Sequence, residues 1–250
     1  MSVVAEDISV NFGGLQALEN VGIEVPPGQV TALIGPNGAG KSTLLNVLSG
    51  FVKPSAGSIL VDEVDITREP AHRRSSNGIA RSFQTPRFVP HLSVFENVLA
   101  GFYPTARPGV LGALIGGGGH ERTMRARTHE LIEEFSLGGV ADIAASNVPL
   151  WQLRIMEIAR CMASGPRYVF LDEPAAGFDE SECRLLGDQI LKLRDQQVGV
   201  LLVEHNFGFI KSVSTHVTVV AQGRHLAEGE PHDIEKDPRV VEVYLGGEEH

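Results

Sequence analysis

The chain has 250 residues and a formal net charge of −10, with 42% hydrophobic and 21% charged side chains. That is the balance of a folded globular protein long enough to bury a sizeable core. The acidic balance excludes nucleic-acid binding through a broad basic face, and no run approaches the roughly 18 apolar residues of a membrane span.

The first 34 residues read as β: Val3, Val4, Ile8 and Val10 in one strand, Leu18, Val21, Ile23 and Val25 in a second. After the turn at Pro26-Pro27-Gly28, Val30 to Ile34 is an apolar run of the kind a buried strand needs. A glycine-rich loop follows, then a helix through Leu44, Leu45, Val47 and Leu48 that stops at Gly50. Ser58 to Val61 and Ile79 to Phe83 predict further short strands.

Between about 86 and 164 the texture turns helical. Arg107 to Gly119 reads as a mobile Gly-rich loop. Met124, Leu131, Ile132 and Phe135 share one helical face, and Leu153, Met156 and Ile158 to Met162 predict another helix. After Gly165-Pro166 the β/α alternation returns: strand Tyr168 to Leu171, helix Ser181 to Asp195, strand Val198 to Val203, then strands Val217 to Val220 and His225 to Ala227. Alternation of this kind implies a mainly parallel sheet covered on both faces. The expected organisation is an α/β core from 1–85 and 165–250, divided by an inserted helical subdomain, 86–164.

The stretch from Glu228 to His250 holds eight acidic and two basic side chains and reads as a solvated face. Cys161 and Cys183 lie in helical sequence without CxxC spacing and read as buried reduced thiols. The opening MSVVAEDISV has neither the basic nor the apolar region of a secretory leader, so a cytoplasmic chain is expected.

Two segments carry chemistry. Gly35-Pro36-Asn37-Gly38-Ala39-Gly40-Lys41-Ser42 fits G-x-x-x-x-G-K-[ST] directly after a buried strand and at the start of a helix. Its glycines let successive N–H groups face phosphate oxygens, and the helix N-terminus favours the anion. Lys41 supplies charge between the β- and γ-phosphates, and the Ser42 hydroxyl suits Mg²⁺. The chain is therefore expected to bind ATP with Mg²⁺ through Gly35 to Ser42 and the adjoining Thr43. The second segment is the strand ending in Asp172-Glu173. An acid at the C-terminal end of such a strand lies beside the loop. Asp172 would hold the Mg²⁺ hydration shell, and Glu173 would accept a proton from the attacking water. The alternative is that both acids merely start a helix before Pro174.

With these pieces in place, the sequence resembles an ATP-binding subunit of an ABC transporter over essentially the whole chain, most closely the branched-chain amino-acid uptake type. The phosphate loop matches Walker A, and Asp172 and Glu173 match Walker B and its catalytic carboxylate. Phe12, in Asn11-Phe12-Gly13-Gly14-Leu15, stands where the family stacks an aromatic on adenine. Gln84, in Arg81-Ser82-Phe83-Gln84, matches the Q-loop glutamine, a further Mg²⁺ contact and catalytic group. Ala176-Gly177-Phe178-Asp179 resembles the D-loop, and His205 the switch histidine. Asp237 to Gly246 resembles the end of branched-chain-type subunits. Taken alone, Phe12 and His205 would be packing residues and Gln84 a polar loop residue.

One motif departs. The family signature, commonly Leu-Ser-Gly-Gly-Gln, here reads Val148-Pro149-Leu150-Trp151-Gln152, with the chain's single tryptophan at the glycine position. Trp151 stands where a bare backbone N–H should approach the partner's γ-phosphate.

The resemblance implies a P-loop NTPase fold with antiparallel N-terminal strands, and an ATPase driving import of a small solute. Its partners would be integral-membrane permease subunits, meeting Pro86 to Pro90, and a second ATP-binding subunit, in a heterodimer or a homodimer. An extracytoplasmic solute-binding protein would take part indirectly, and no nucleic acid is implied. The chain would sit on the cytoplasmic face of the cell membrane. The alternative is a regulatory nucleotide-binding subunit whose altered signature leaves it weak ATPase activity of its own.

Overall fold

The structure, a computed structural model, describes residues 1–102 and 117–245. These fall into two compact units, the first made of residues up to Arg81 and from Arg167 on, the second of Ser82–Pro166.

The first unit holds two sheets. One is antiparallel, in the order β2-β1-β4-β5, from β1 (Val3–Phe12), β2 (Leu15–Val25), β4 (Ala56–Val61) and β5 (Val64–Asp65). The other runs β10-β9-β3-β8-β7-β6, from β3 (Val30–Ile34), β6 (Ile79–Arg81), β7 (Tyr168–Asp172), β8 (Gly199–Val203), β9 (His216–Ala221) and β10 (Arg224–Gly229). All of its pairings are parallel except β9 with β10. Every residue of β3, β7 and β8 is buried, which is why these strands read as continuous apolar runs. In β1, Val3, Ala5, Ile8 and Val10 face inward. They share a core with Leu33, Phe170, Leu201 and the buried leucines of α1 (Lys41–Leu48).

The C-terminal end of α1 is closed by α2 (Ala71–Ser76), which sequence reading missed. Arg74, fully buried, donates through Nη1 to the Val47 and Leu48 carbonyls at 2.6 and 2.8 Å. A guanidinium there satisfies orphan carbonyls and complements the helix dipole. Burial pulls its pKa down to about 10.

The second unit is helical: α3 (Val94–Leu99), α4 (Gly117–Glu134) and α5 (Leu150–Ala163). α3 packs on both others and starts with a reciprocal capping box between Ser93 and Glu96. Its core holds Val94, Val98, Met124, Leu131, Ile132, Phe135 and Met156.

The first unit is completed by α6 (Glu180–Asp195), α7 (Phe207–Val213), α8 (Pro231–Ile234) and α9 (Pro238–Leu245). Four expectations meet the structure with different outcomes. The strand drawn through Phe83 ends at Arg81, because the Phe83 carbonyl is taken by Arg154 of α5. Of the Gly-rich loop, 107–116 lies outside the described residues, and Gly117 to Gly119 already belong to α4. Acids in the Glu228–Glu242 stretch are largely exposed as expected, yet Ile234 and Val240 are buried against Ile34, Val217 and Val219. Cys161 is buried, with its thiol pushed up to about 12 by burial, whereas Cys183 is only half-buried; neither forms a disulfide.

Candidate nucleotide site

The phosphate loop bridges the C-terminal end of β3 and the start of α1. Its path depends on glycine. A Cβ on Gly35 would lie 2.0 Å from the Val220 carbonyl, and one on Gly40, at φ +103°, would meet Leu18 at 2.6 Å. Lys41 folds back over the loop, its ammonium donating to the Gly35 and Pro36 carbonyls at 2.7 and 3.0 Å. Burial lowers the Lys41 pKa, and the Glu173 and Asp172 carboxylates offset part of that effect. A cation held among carbonyls and acids at a helix N-terminus is the counter-charge a polyphosphate needs.

A cleft of ≈ 500 Å³ opens over this loop, lined by Asn37 to Thr43, Phe12, Leu15, Glu173 and the Gln222-Gly223 turn, among others. Phe12 ends β1 with half its surface exposed, next to the Gly13-Gly14 turn, whose two positive φ values suit a two-residue hairpin. An exposed aromatic lining the same cleft as a phosphate loop offers an apolar face on which a flat base can stack. Sequence reading missed Leu15, Gln16, Ala17 and Gln222-Gly223. The last two form a second two-residue turn with positive φ between β9 and β10. Gly223 N–H donates to the Ala39 carbonyl (3.0 Å), and its carbonyl accepts from Glu19 N–H (2.7 Å). A turn signal was present at Gln222-Gly223, but its destination depended on β9 lying beside β3.

Asp172 closes β7, and Glu173 follows with φ +47°, a left-handed conformation uncommon for a non-glycine residue. Its N–H donates to the Val203 carbonyl at 2.9 Å. No helix starts there: the next one, α6, is capped by Asp179. The Ser42 hydroxyl and the Asp172 and Glu173 carboxylates are hard oxygen donors, the kind Mg²⁺ accepts alongside phosphate oxygens. Among the described residues, no group of three or more His, Cys, Asp or Glu could hold a metal by itself.

His205 follows β8, with its Nδ1 3.8 Å from Glu204, and lines a separate cavity of ≈ 240 Å³ with Phe207 and Tyr244. Glu204 is buried, accepts from Ala175 N–H at 2.8 Å and has a raised pKa because of its burial. Gln84 is exposed and belongs to the second unit. There α5 grips its neighbourhood: Arg154 donates to the Phe83 and Gln84 carbonyls, Arg160 donates to the Arg87 carbonyl, and buried Glu157 accepts from Arg87 N–H. Trp151 is half-buried in the first turn of α5, after Pro149.

A mainly parallel sheet with a phosphate loop after one buried strand and an acid pair at the end of another defines a P-loop NTPase. Comparison with known proteins gives the family. The family described as "ABC transporter" matches residues 18–176, and "Branched-chain amino acid ATP-binding cassette transporter" matches 224–250. The high-affinity branched-chain amino acid transport ATP-binding protein BraF of Pseudomonas aeruginosa is 37% identical over 243 residues, covering 96% of this chain and 95% of that protein. LivG of Escherichia coli K12, which carries the same description, is 36% identical over the same shares. A nucleotide-free ATP-binding cassette from an ABC transporter matches with a TM-score of 0.87 at 31% identity, covering 98% of this chain and 99% of that one. The ADP conformation of an ABC-transporter cassette matches with a TM-score of 0.87 at 30% identity and the same coverage. The chain belongs to the ABC transporter family and is one of its ATP-binding, ATP-hydrolysing cassettes. Among its described residues no helix is long and apolar enough to cross a membrane.

Proposed function

We propose that this cassette powers import of a branched-chain amino acid or a related small solute through separate permease subunits, from the cytoplasmic face of the membrane. The observation that carries the ATPase half is the single cleft that gathers Phe12, the phosphate loop and Glu173. The transport half is supported by the likeness to BraF and LivG over nearly the whole chain.

In this reading adenine stacks on Phe12, and the phosphates lie along the N–H groups of Gly35 to Thr43. Lys41 swings from the Gly35 and Pro36 carbonyls to the β- and γ-phosphates. Ser42 and Asp172 would hold Mg²⁺, which would supply charge neutralisation on the phosphates. Glu173 takes a proton from water as its oxygen bonds to the γ-phosphorus and the bond to the ADP oxygen breaks. His205 is assigned to the γ-phosphate. Pro86 to Pro90, adjoining the stretch pinned by Arg154 and Glu157, is assigned to the permease. The test is co-expression with a permease pair and a solute-binding protein of the branched-chain amino-acid type. Vesicles should take up labelled leucine only with ATP inside, and failure across leucine, urea and short amides would overturn the import reading.

Trp151 gives this cassette a second property. In a homodimer both nucleotides would meet an indole where the family presents glycine. With a partner cassette bearing an intact signature, one site is complete, made of this chain's loop and the partner's signature. The working form is therefore read as a heterodimer with unequal sites, in which this chain supplies the hydrolytic loop and base. Trp151→Gly should raise the ATPase rate of the isolated chain toward ~10²-fold, the scale of one recovered oriented donor. A wild-type rate of about 1 s⁻¹ that the substitution leaves unchanged would remove the asymmetry and favour a homodimer.

A further inference from the structure

Arg81 is the last residue of β6, and its parallel pairing with Phe170 sets it beside Asp172 at the end of β7. Its Nη2 donates to Asp172 Oδ2 at 2.9 Å, with only 9% and 11% of the two side chains exposed. Its Nη1 donates to Asn46 Oδ1 at 2.7 Å and lies 3.3 Å from Ser49 Oγ, so the same guanidinium is anchored on α1 and the residue that ends it. The Phe51 ring lies 5.6 Å from its Cζ. One side chain thus ties the helix that opens at the phosphate loop to the carboxylate that closes β7.

The electrostatic consequence is specific. A carboxylate this buried needs a partner, and here the partner is part of the protein. The guanidinium cancels the charge that would draw a divalent cation to Asp172 and fixes Oδ2. The geometry points to Arg81 as a positioning residue that keeps Asp172 charge-balanced in the nucleotide-free cleft, so that a divalent cation is retained only together with phosphates. This rests on the reading of Asp172 as the carboxylate facing Mg²⁺. Under it, the acid pair does not collect the cation ahead of ATP, and Asp172 stays in one orientation until the phosphates arrive.

The test uses Mn²⁺ alone as the probe, titrated into the nucleotide-free full chain and followed by electron paramagnetic resonance. Arg81→Gln should tighten Mn²⁺ binding at least ~10-fold, because a unit charge this close to the carboxylate acts strongly on a divalent ion. Arg81→Lys, which keeps the charge, should stay within about threefold of wild type by the same law. Adding Asp172→Asn to Arg81→Gln should abolish the gain. If Arg81→Gln fails to fold, Asn46→Asp offers the guanidinium a competing carboxylate at the same anchor and should give a gain that Asp172→Asn again removes. No gain in the folded variant, or a gain that survives Asp172→Asn, overturns the proposal. The underlying reading is checked separately with ATP present, where Asp172→Asn alone must weaken Mn²⁺ retention.

Discussion

Lys41→Ala should lower ATP affinity by ~10²-fold or more, measured by calorimetry on the isolated chain. Two losses add. The ammonium that now spans the Gly35 and Pro36 carbonyls is the charge that would meet the β- and γ-phosphates, and hydrogen bonds to charged groups contribute about 1.5–3 kcal/mol each. At about 1.4 kcal/mol per tenfold, two such contacts account for the expected drop. The substitution also removes the cation that faces Glu173, so a tetra-anionic ligand would enter a cleft with less positive charge. Lys41→Arg should rescue little, because the planar guanidinium cannot reproduce a compact ammonium seated between two carbonyls. Near-wild-type affinity of Lys41→Ala would sink the phosphate-loop assignment.

The parts of this site that the sequence announces are those whose chemistry is contiguous. Gly35 to Ser42 is legible because the loop, the strand before it and the helix after it are one continuous stretch. Asp172-Glu173 is legible because a fully buried strand shows as an apolar run and its end is marked by the acids. Arg81 is different: it meets a carboxylate 91 positions away only because β6 pairs with β7 in register. Gln222-Gly223 reaches Ala39 only because β9 lies against β3. Nothing local in the sequence announces either contact. Length explains most of the missed helices. α2 and α3 have six residues each, α7 has seven and α8 has four, too short for periodicity to emerge from composition. The ion group of buried Arg154 and Glu157 with half-buried Arg160 was hidden for another reason. On α5 it reads as a polar stripe, and its targets are the backbone of Phe83 to Arg87.

Glu173→Gln should leave ATP binding within about twofold of wild type, since the isosteric amide adds nothing to the ligand's contacts, yet slow turnover by at least ~10²-fold, the scale of a lost positioned base. The geometry gives the residue a defined place. Its left-handed backbone and its N–H bond to Val203 hold its start between β7 and β8, and its side chain shares the cleft with Lys41 and Ser42. Non-glycine residues at positive φ cluster where function holds the backbone in an unfavourable conformation, and glutamine keeps that backbone while removing the ability to take a proton. Single-turnover hydrolysis of γ-labelled ATP by the assembled complex separates the steps: the bound fraction should match wild type while phosphate release falls. A Glu173→Gln enzyme that hydrolyses at the wild-type rate would place the base on another residue and leave Glu173 a cleft-lining carboxylate only.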